Sequence, residues 1–173
     1  GEVTHIIVPC EIHRADIVPY KERYPNAKIL CPACAKAKVE ELVPVTQTLE
    51  EGLEDLGVVL HRPIGLKDFE IHLELPLEDD TRALVLTDAL FNLGDSPPTG
   101  LGGFILKLLG SVGPLNITKI GKRLLLKDKE AFADYIEKLA EIPHLAVVSM
   151  AHGKCVRGQP AQALKDASVR IRK

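Results

Sequence analysis

The sequence predicts an α/β fold, and three observations carry that prediction. Short apolar runs alternate with amphipathic stretches through residues 5–42, the signature of parallel strands joined by crossover helices. Residues 57–88 then present β-type runs separated by turn-like residues instead of helices. After a Gly-rich apolar stretch, the chain returns to a long amphipathic helix, an apolar strand and a closing helix.

Taken in order, HIIVP (5–9) reads as a buried strand and ADIVPYKERYP (15–25) as a short helix that Pro25 ends. AKIL (27–30) is a second strand. In CPACAKAKVEEL (31–42), Pro32 suits an early helical position, and the alanines and lysines favour helix. GVVLHRP (57–63), FEIHLELP (69–76) and TRALVLTD (81–88) are close enough for an antiparallel meander. Alternation in the second run puts Phe69, Ile71, Leu73 and Leu75 on one face and Glu70, His72 and Glu74 on the other, which predicts one wet side. Glycines interrupt residues 99–121, so the reading there is two short helices, near 103–110 and 115–124. DKEAFADYIEKLAEI (128–142) is the best helix: Asp128 can cap it, and Phe132, Tyr135, Ile136 and Leu139 form one stripe. HLAVVSM (144–150) follows as a strand, and a last helix starts at Pro160 with Leu164, Ala167 and Ile171 facing inward.

Length and composition narrow the class of protein. At 173 residues, the chain is the size of one domain, 1–173. Lysine plus arginine (22) nearly balances aspartate plus glutamate (24), Trp is absent and aromatics are few, so neither phosphate binding nor base stacking points to nucleic acid. No apolar run approaches the roughly 20 residues that span a bilayer, and the start lacks the order of a signal peptide. These features predict a cytoplasmic protein. The apolar segment FILKLLGSVGPL (104–115) suits either a cover over a site or a contact between copies of the chain in a homo-oligomer, with the contact favoured. Because only four residues precede the first strand and none is an initiating Met, the sequence also reads as a segment of a longer polypeptide.

Two apolar strands end in metal-ligand residues, LVLTD at Asp88 and VVSMAHG at His152. The end of the first strand, PCEIHRAD, adds Cys10, Glu11, His13 and Asp16. Strand ends are where open α/β sheets bind ligands, so these three are expected to converge. The alternative is structural, with Asp88 capping a turn and His152 closing a loop. CPAC (31–34) lies between a strand and a helix, where a helix N-terminus favours a thiolate; Cys31 and Cys34 are thus a candidate redox pair. Cys10 and Cys155 lie near His13 and His152 and are candidate thiol ligands, the bland reading of all four cysteines being buried packing. TGLGGF (99–104) lacks the Lys and Ser/Thr of a phosphate loop.

The succession of PCEIHRAD, ERYPNAKIL, a meander, LVLTDALFNL and a strand ending in AHG resembles the metallo-β-lactamase superfamily, nearest an uncharacterised branch with similar YP-A-K, LTD-LFN and HG stretches. The likeness covers nearly the whole chain, and TDALFNL is its most specific part. It implies a four-layered αβ/βα sandwich with mixed sheets and a metal site at the sheet edges. It also implies further strands ahead of the first cluster. By this resemblance, Asp88 falls where the family places a metal-bridging carboxylate, His152 on its last histidine ligand and His13 on the final His of its HxHxDH cluster. The other cluster positions are Val8, Cys10 and Ile12, a departure from the family. The histidine expected before the LTD strand is also missing: Leu66 and Lys67 occupy that region, with His72 nearby. What survives is one site, His13, Asp88 and His152, able to hold a single Zn or Fe ion and lower the pKa of bound water. The implied activity is hydrolysis of an ester, thioester, amide or phosphoester bond in a small-molecule substrate, with Asp88 and His152 as catalytic residues. A non-catalytic binding or assembly protein of the same fold and a thiol-disulfide protein using Cys31 and Cys34 are the alternatives.

Overall fold

The structure, a computed structural model, describes residues 1–53, 56–94, 99–108 and 112–173. It is an α/β fold with two sheets. β1 (His5–Ile7), β2 (Lys28–Cys31) and β3 (Gln47–Thr48) pair in that order, all parallel. β4 (Val59–His61), β5 (His72–Pro76), β6 (Arg82–Val85), β7 (Leu145–Ser149) and β8 (Val156–Arg157) form a second, mixed sheet in chain order. Its first half is the expected antiparallel meander, whereas β6 and β7 run parallel and β8 turns back antiparallel. β3 and β8 were not legible in the sequence, because two residues are too few to show a period.

The helices occupy the connections. α1 (Ile17–Arg23) crosses from β1 to β2. The helix expected directly from Cys31 is divided: a 3-10 turn over Ala33–Ala35 precedes α2 (Lys36–Glu40). A capping box between Thr48 and Glu51 starts α3 (Leu49–Gly52). α4 (Leu101–Leu108) covers most of the first Gly-rich helix, whose residues 109 and 110 lie outside the described residues. α5 (Lys119–Leu124) begins later than expected, because the Thr118 side chain accepts from Gly121 N. α6 (Lys129–Leu139) follows its sequence pattern closely: Asp128 accepts from Ala131 N, and Phe132, Tyr135, Ile136 and Leu139 are buried. α7 (Pro160–Arg172) starts at the expected proline and buries Leu164, Ala167 and Ile171.

Three apolar clusters show how these elements pack. Ile17, Ile29, Cys31, Ala35 and Val39 lie between the first sheet and helices α1 and α2. Leu30, Leu49, Leu53, Ile71 and Leu73 bring the two sheets together. Leu84, Leu86, Val148, Phe132, Ile136 and Leu164 fill the space between the second sheet and helices α6 and α7. Truncating the fully buried Phe132 to Ala is expected to cost about 3–5 kcal/mol. Part of the proposed contact segment 104–115, residues 109–111, lies outside the described residues; of the remainder, Phe104 and Ile105 are exposed and Leu115 is buried. No described helix is long and apolar enough to cross a membrane.

One expectation needs correcting. Glu70, His72 and Glu74 do not form a wet face: their exposures are 3%, 0% and 9%. Ile71 and Leu73 pack toward the first sheet, and α6 covers the opposite face. Buried polar groups survive there by pairing with one another. His72 lies 2.7 Å from Glu70 and 2.9 Å from the Tyr135 hydroxyl, while Glu74 lies 2.8 Å from His61.

Candidate metal site at three strand ends

The convergence expected from the sequence is present in part: Cys10, His13 and Asp88 come together as a group that could hold a metal ion, whereas His152 meets Asp88 and is not in that group. The β1 end carries Cys10 and His13, the β6 end carries Asp88, and the β7 end carries His152. His13 Nδ1 lies 3.2 Å from Cys10 Sγ and 3.3 Å from Asp88 Oδ2. The other carboxylate oxygen, Asp88 Oδ1, lies 3.0 Å from His152 Nε2. One carboxylate therefore bridges two imidazoles, one per oxygen.

Local backbone chemistry explains why His152 stands there. The next residue, Gly153, has a φ of 108° and packs so closely on Asn92 that a β-carbon would collide with its backbone. Asn92 N donates to His152 O at 3.1 Å and Lys154 N to Asn92 O at 2.9 Å, which ties this loop to the segment after Asp88. Phe91, on that segment, stacks on the imidazole with centroids 4.5 Å apart and planes 13° from parallel. The ring is thereby oriented with Nε2 toward Asp88. The Gly of AHG is what lets the two loops meet.

Asp88 is positioned from below by a residue that the sequence reading had placed in solvent. The Glu70 carboxylate accepts from Asp88 N at 2.8 Å, from Ala89 N at 3.2 Å and from Thr87 N at 3.4 Å. His72 Nε2 is its fourth partner. His72 itself, which the resemblance left as a nearby candidate ligand, is fully buried between Glu70 and Tyr135. A Glu and a His two residues apart on a strand do share a face. The signal missed was that the neighbouring helix carries Tyr135 to meet them.

Burial and neighbouring charges set the electrostatics of the cluster. Burial pushes the Cys10 thiol up to about 11, and the nearby Asp88 and Glu70 charges add to this. Burial also pushes the Asp88 carboxyl up, with Glu70 acting in the same direction and His13 and His152 against it. Glu70 goes the other way: burial would raise it, but His72 and the backbone N–H donors outweigh burial and hold it below the ordinary carboxylate range. A divalent cation would reverse the penalty on Cys10 and Asp88.

The donor set fits such an ion. Cys10, His13 and Asp88 each offer an atom within 4.8 Å of the others. Ligands at ordinary Zn–N and Zn–S bond lengths around a tetrahedral centre lie about 3.3–3.7 Å apart, close to the contacts His13 makes here. Thiolate, imidazole and carboxylate together suit Zn²⁺ or Fe²⁺ rather than Mg²⁺ or Ca²⁺. Glu11 and Asp16 are exposed and take no part in this group.

The remaining cysteines are placed differently. Cys155 is exposed, 3.4 Å from Ser149 Oγ, and is not one of the clustered ligands. Cys31 is buried and Cys34 exposed, both as free thiols. The expected thiolate-favouring helix start is not what Cys31 meets. Burial pushes it up to about 11 and the carboxylates of Glu40 and Glu50 add to this, while Cys34 is also raised by burial. The CPAC pair thus has an environment that keeps thiols protonated. Packing, the bland reading of all four cysteines, fits Cys10 and Cys31 but not the exposed Cys34 and Cys155.

Beside His13, a cleft of about 380 Å³ opens between β1 and α1, lined by Ile6, Ile7, Ile12, Ile17, Tyr20 and Asp16 among others. Among the described residues no Lys or Arg lines it. No protein-family model matches the chain, and no curated protein sequence matches it.

Proposed function

We propose that this chain is a metallo-β-lactamase-like hydrolase that uses one metal ion. The observation that carries the reading is Asp88 reaching His13 and His152 with its two oxygens while Cys10 Sγ stands beside His13. The order of the clusters, helices against the first sheet, sheet against sheet, and helices against the second sheet, supports the αβ/βα sandwich of that superfamily. Cys10, His13 and Asp88 would hold the ion, with Cys10 where the superfamily has a histidine, and His152, joined to Asp88, would complete the set that the resemblance implies.

When bound, Zn²⁺ or Fe²⁺ would supply Lewis acidity and lower the pKa of water. The chain's own residues do the rest. Phe91 fixes the plane of His152, whose half-exposed imidazole stands at the rim of the site beside Asp88. Asp88 holds the imidazoles on either side of it. The apolar cleft beside His13 favours an uncharged substrate group, so esters, thioesters and amides rank ahead of phosphoesters.

The test is hydrolysis of chromogenic members of these four classes by the Zn²⁺- or Fe²⁺-loaded protein, before and after chelation. Turnover that chelation abolishes and Asp88→Ala lacks supports the reading. A metal-loaded protein that cleaves none of them would point instead to a binding or assembly role for the same site.

A further inference from the structure

We propose that Glu70 is a positioning residue that fixes the direction of Asp88. The proposal deepens the metal reading, and it rests on that reading for its affinity measurement but not for its geometry.

Backbone hydrogen bonds around Asp88 show where the support comes from. β6 is held to β7 as far as Leu86, whose N donates to Ser149 O at 2.8 Å. The next three N–H groups, of Thr87, Asp88 and Ala89, have left the ladder and need acceptors, since Thr87 and Ala89 are buried. Glu70 takes all three. The Thr87 side chain contributes nothing to this: its buried Oγ1 makes no hydrogen bond among the described residues. The turn that presents Asp88 is therefore held by one side chain from the neighbouring strand connection.

The chemistry of the partners requires a carboxylate. His72 Nε2 lies 2.7 Å from the Glu70 carboxylate, which can only accept, so Nε2 carries the proton between them, while Nδ1 lies 2.9 Å from the Tyr135 hydroxyl. Glu70 thus faces four donors and no acceptor. A glutamine would offer one oxygen and an NH₂ group, and the NH₂ would point at N–H groups. Burying a carboxylate at 3% exposure is costly unless its hydrogen bonds are complete, and here they are. The arrangement spends a buried charge on the position of three consecutive backbone groups, the middle one being Asp88.

The experiment compares the parent with Glu70→Gln and Tyr135→Phe, reading Zn²⁺ affinity by competition with a chromophoric chelator and the amide protons of residues 87–89 by NMR. In the parent, the Asp88 and Ala89 amide protons are expected downfield and slow to exchange. In Glu70→Gln, they move upfield and Zn²⁺ affinity falls about 10–100-fold, the range for outer-shell groups. Tyr135→Phe, which leaves the Glu70 contacts intact, has the smaller effect. A folded Glu70→Gln protein with parental Zn²⁺ affinity and unmoved amides would overturn the proposal, whatever its melting temperature. If Glu70→Gln does not fold, the parent decides: random-coil shifts and fast exchange at Asp88 and Ala89 also overturn it. A parent that takes no Zn²⁺ but shows both amide signatures sinks the metal reading and leaves the hold of Glu70 on Asp88 standing.

Discussion

β1 and β2 are parallel neighbours, and each delivers a buried cysteine near its end, Cys10 and Cys31. Burial pushes both thiols up to about 11. Their surroundings nonetheless differ. Cys10 meets His13 and, within the same small group, Asp88 from the other sheet. Cys31 faces the charges of Glu40 and Glu50 and has Cys34 as its sequence neighbour in CPAC. The local motif is stronger at Cys31, but the three-dimensional donor set is at Cys10. Ligands that come from separate strand ends have fixed separations once the sheets form, whereas a CxxC pair alone offers two donors to an ion that wants four.

Substitutions should separate these two ends sharply. The largest effect is expected for Asp88→Ala, which removes the group that touches both histidines: metal affinity should fall by more than about 100-fold, beyond the range for outer-shell groups. Cys10→Ser should come next. Co²⁺-loaded protein is expected to lose its thiolate charge-transfer band in Cys10→Ser and to keep it in Cys31→Ser and Cys34→Ser. The reverse pattern would move the site to the β2 end.

Acidity offers a finer separation. Because Cys10 stays protonated up to about 11, a metal ion must displace its proton at neutral pH. Metal affinity should therefore rise with pH through the range below that value, by up to about tenfold per unit for one proton, with a shallower slope in Cys10→Ser. The same shifts bear on stability without metal. The folded chain keeps the Cys10 and Cys31 protons that the unfolded chain releases from 9.0 upward. Stability should thus fall as pH rises from about 9 to about 11, then level off. Thermal melts of Cys10→Ala and Cys31→Ala should each show part of that slope removed. The smallest expected difference is kinetic: a thiol reagent should modify exposed Cys34 and Cys155 quickly, and Cys10 and Cys31 only on unfolding.

Much of this arrangement could be read from residue order. The α6 stripe, its Asp128 cap and Pro160 at the start of α7 are local patterns, so they were legible. Asp88 and His152 were legible as a pair for a similar reason, since each ends an apolar run and the two strands lie side by side as β6 and β7. Glu70 was not. Strand alternation gives a face but not what covers it, and a Glu-x-His spacing reads as solvent-facing until Tyr135 is brought over it from a helix 63 positions further along the chain. The thiolate expected at CPAC failed for a related reason: burial in the packed fold opposes it most, and the charges of Glu40 and Glu50, from α2 and α3, add to that.

The most direct measurement is elemental analysis of the purified protein beside Asp88→Ala and His152→Ala. The account predicts about one Zn or Fe per chain in the parent and loss of the metal in both variants. A parent that holds no metal, even after incubation with each ion, would contradict it and leave Cys10, His13, Asp88 and His152 as a hydrogen-bonded structural corner.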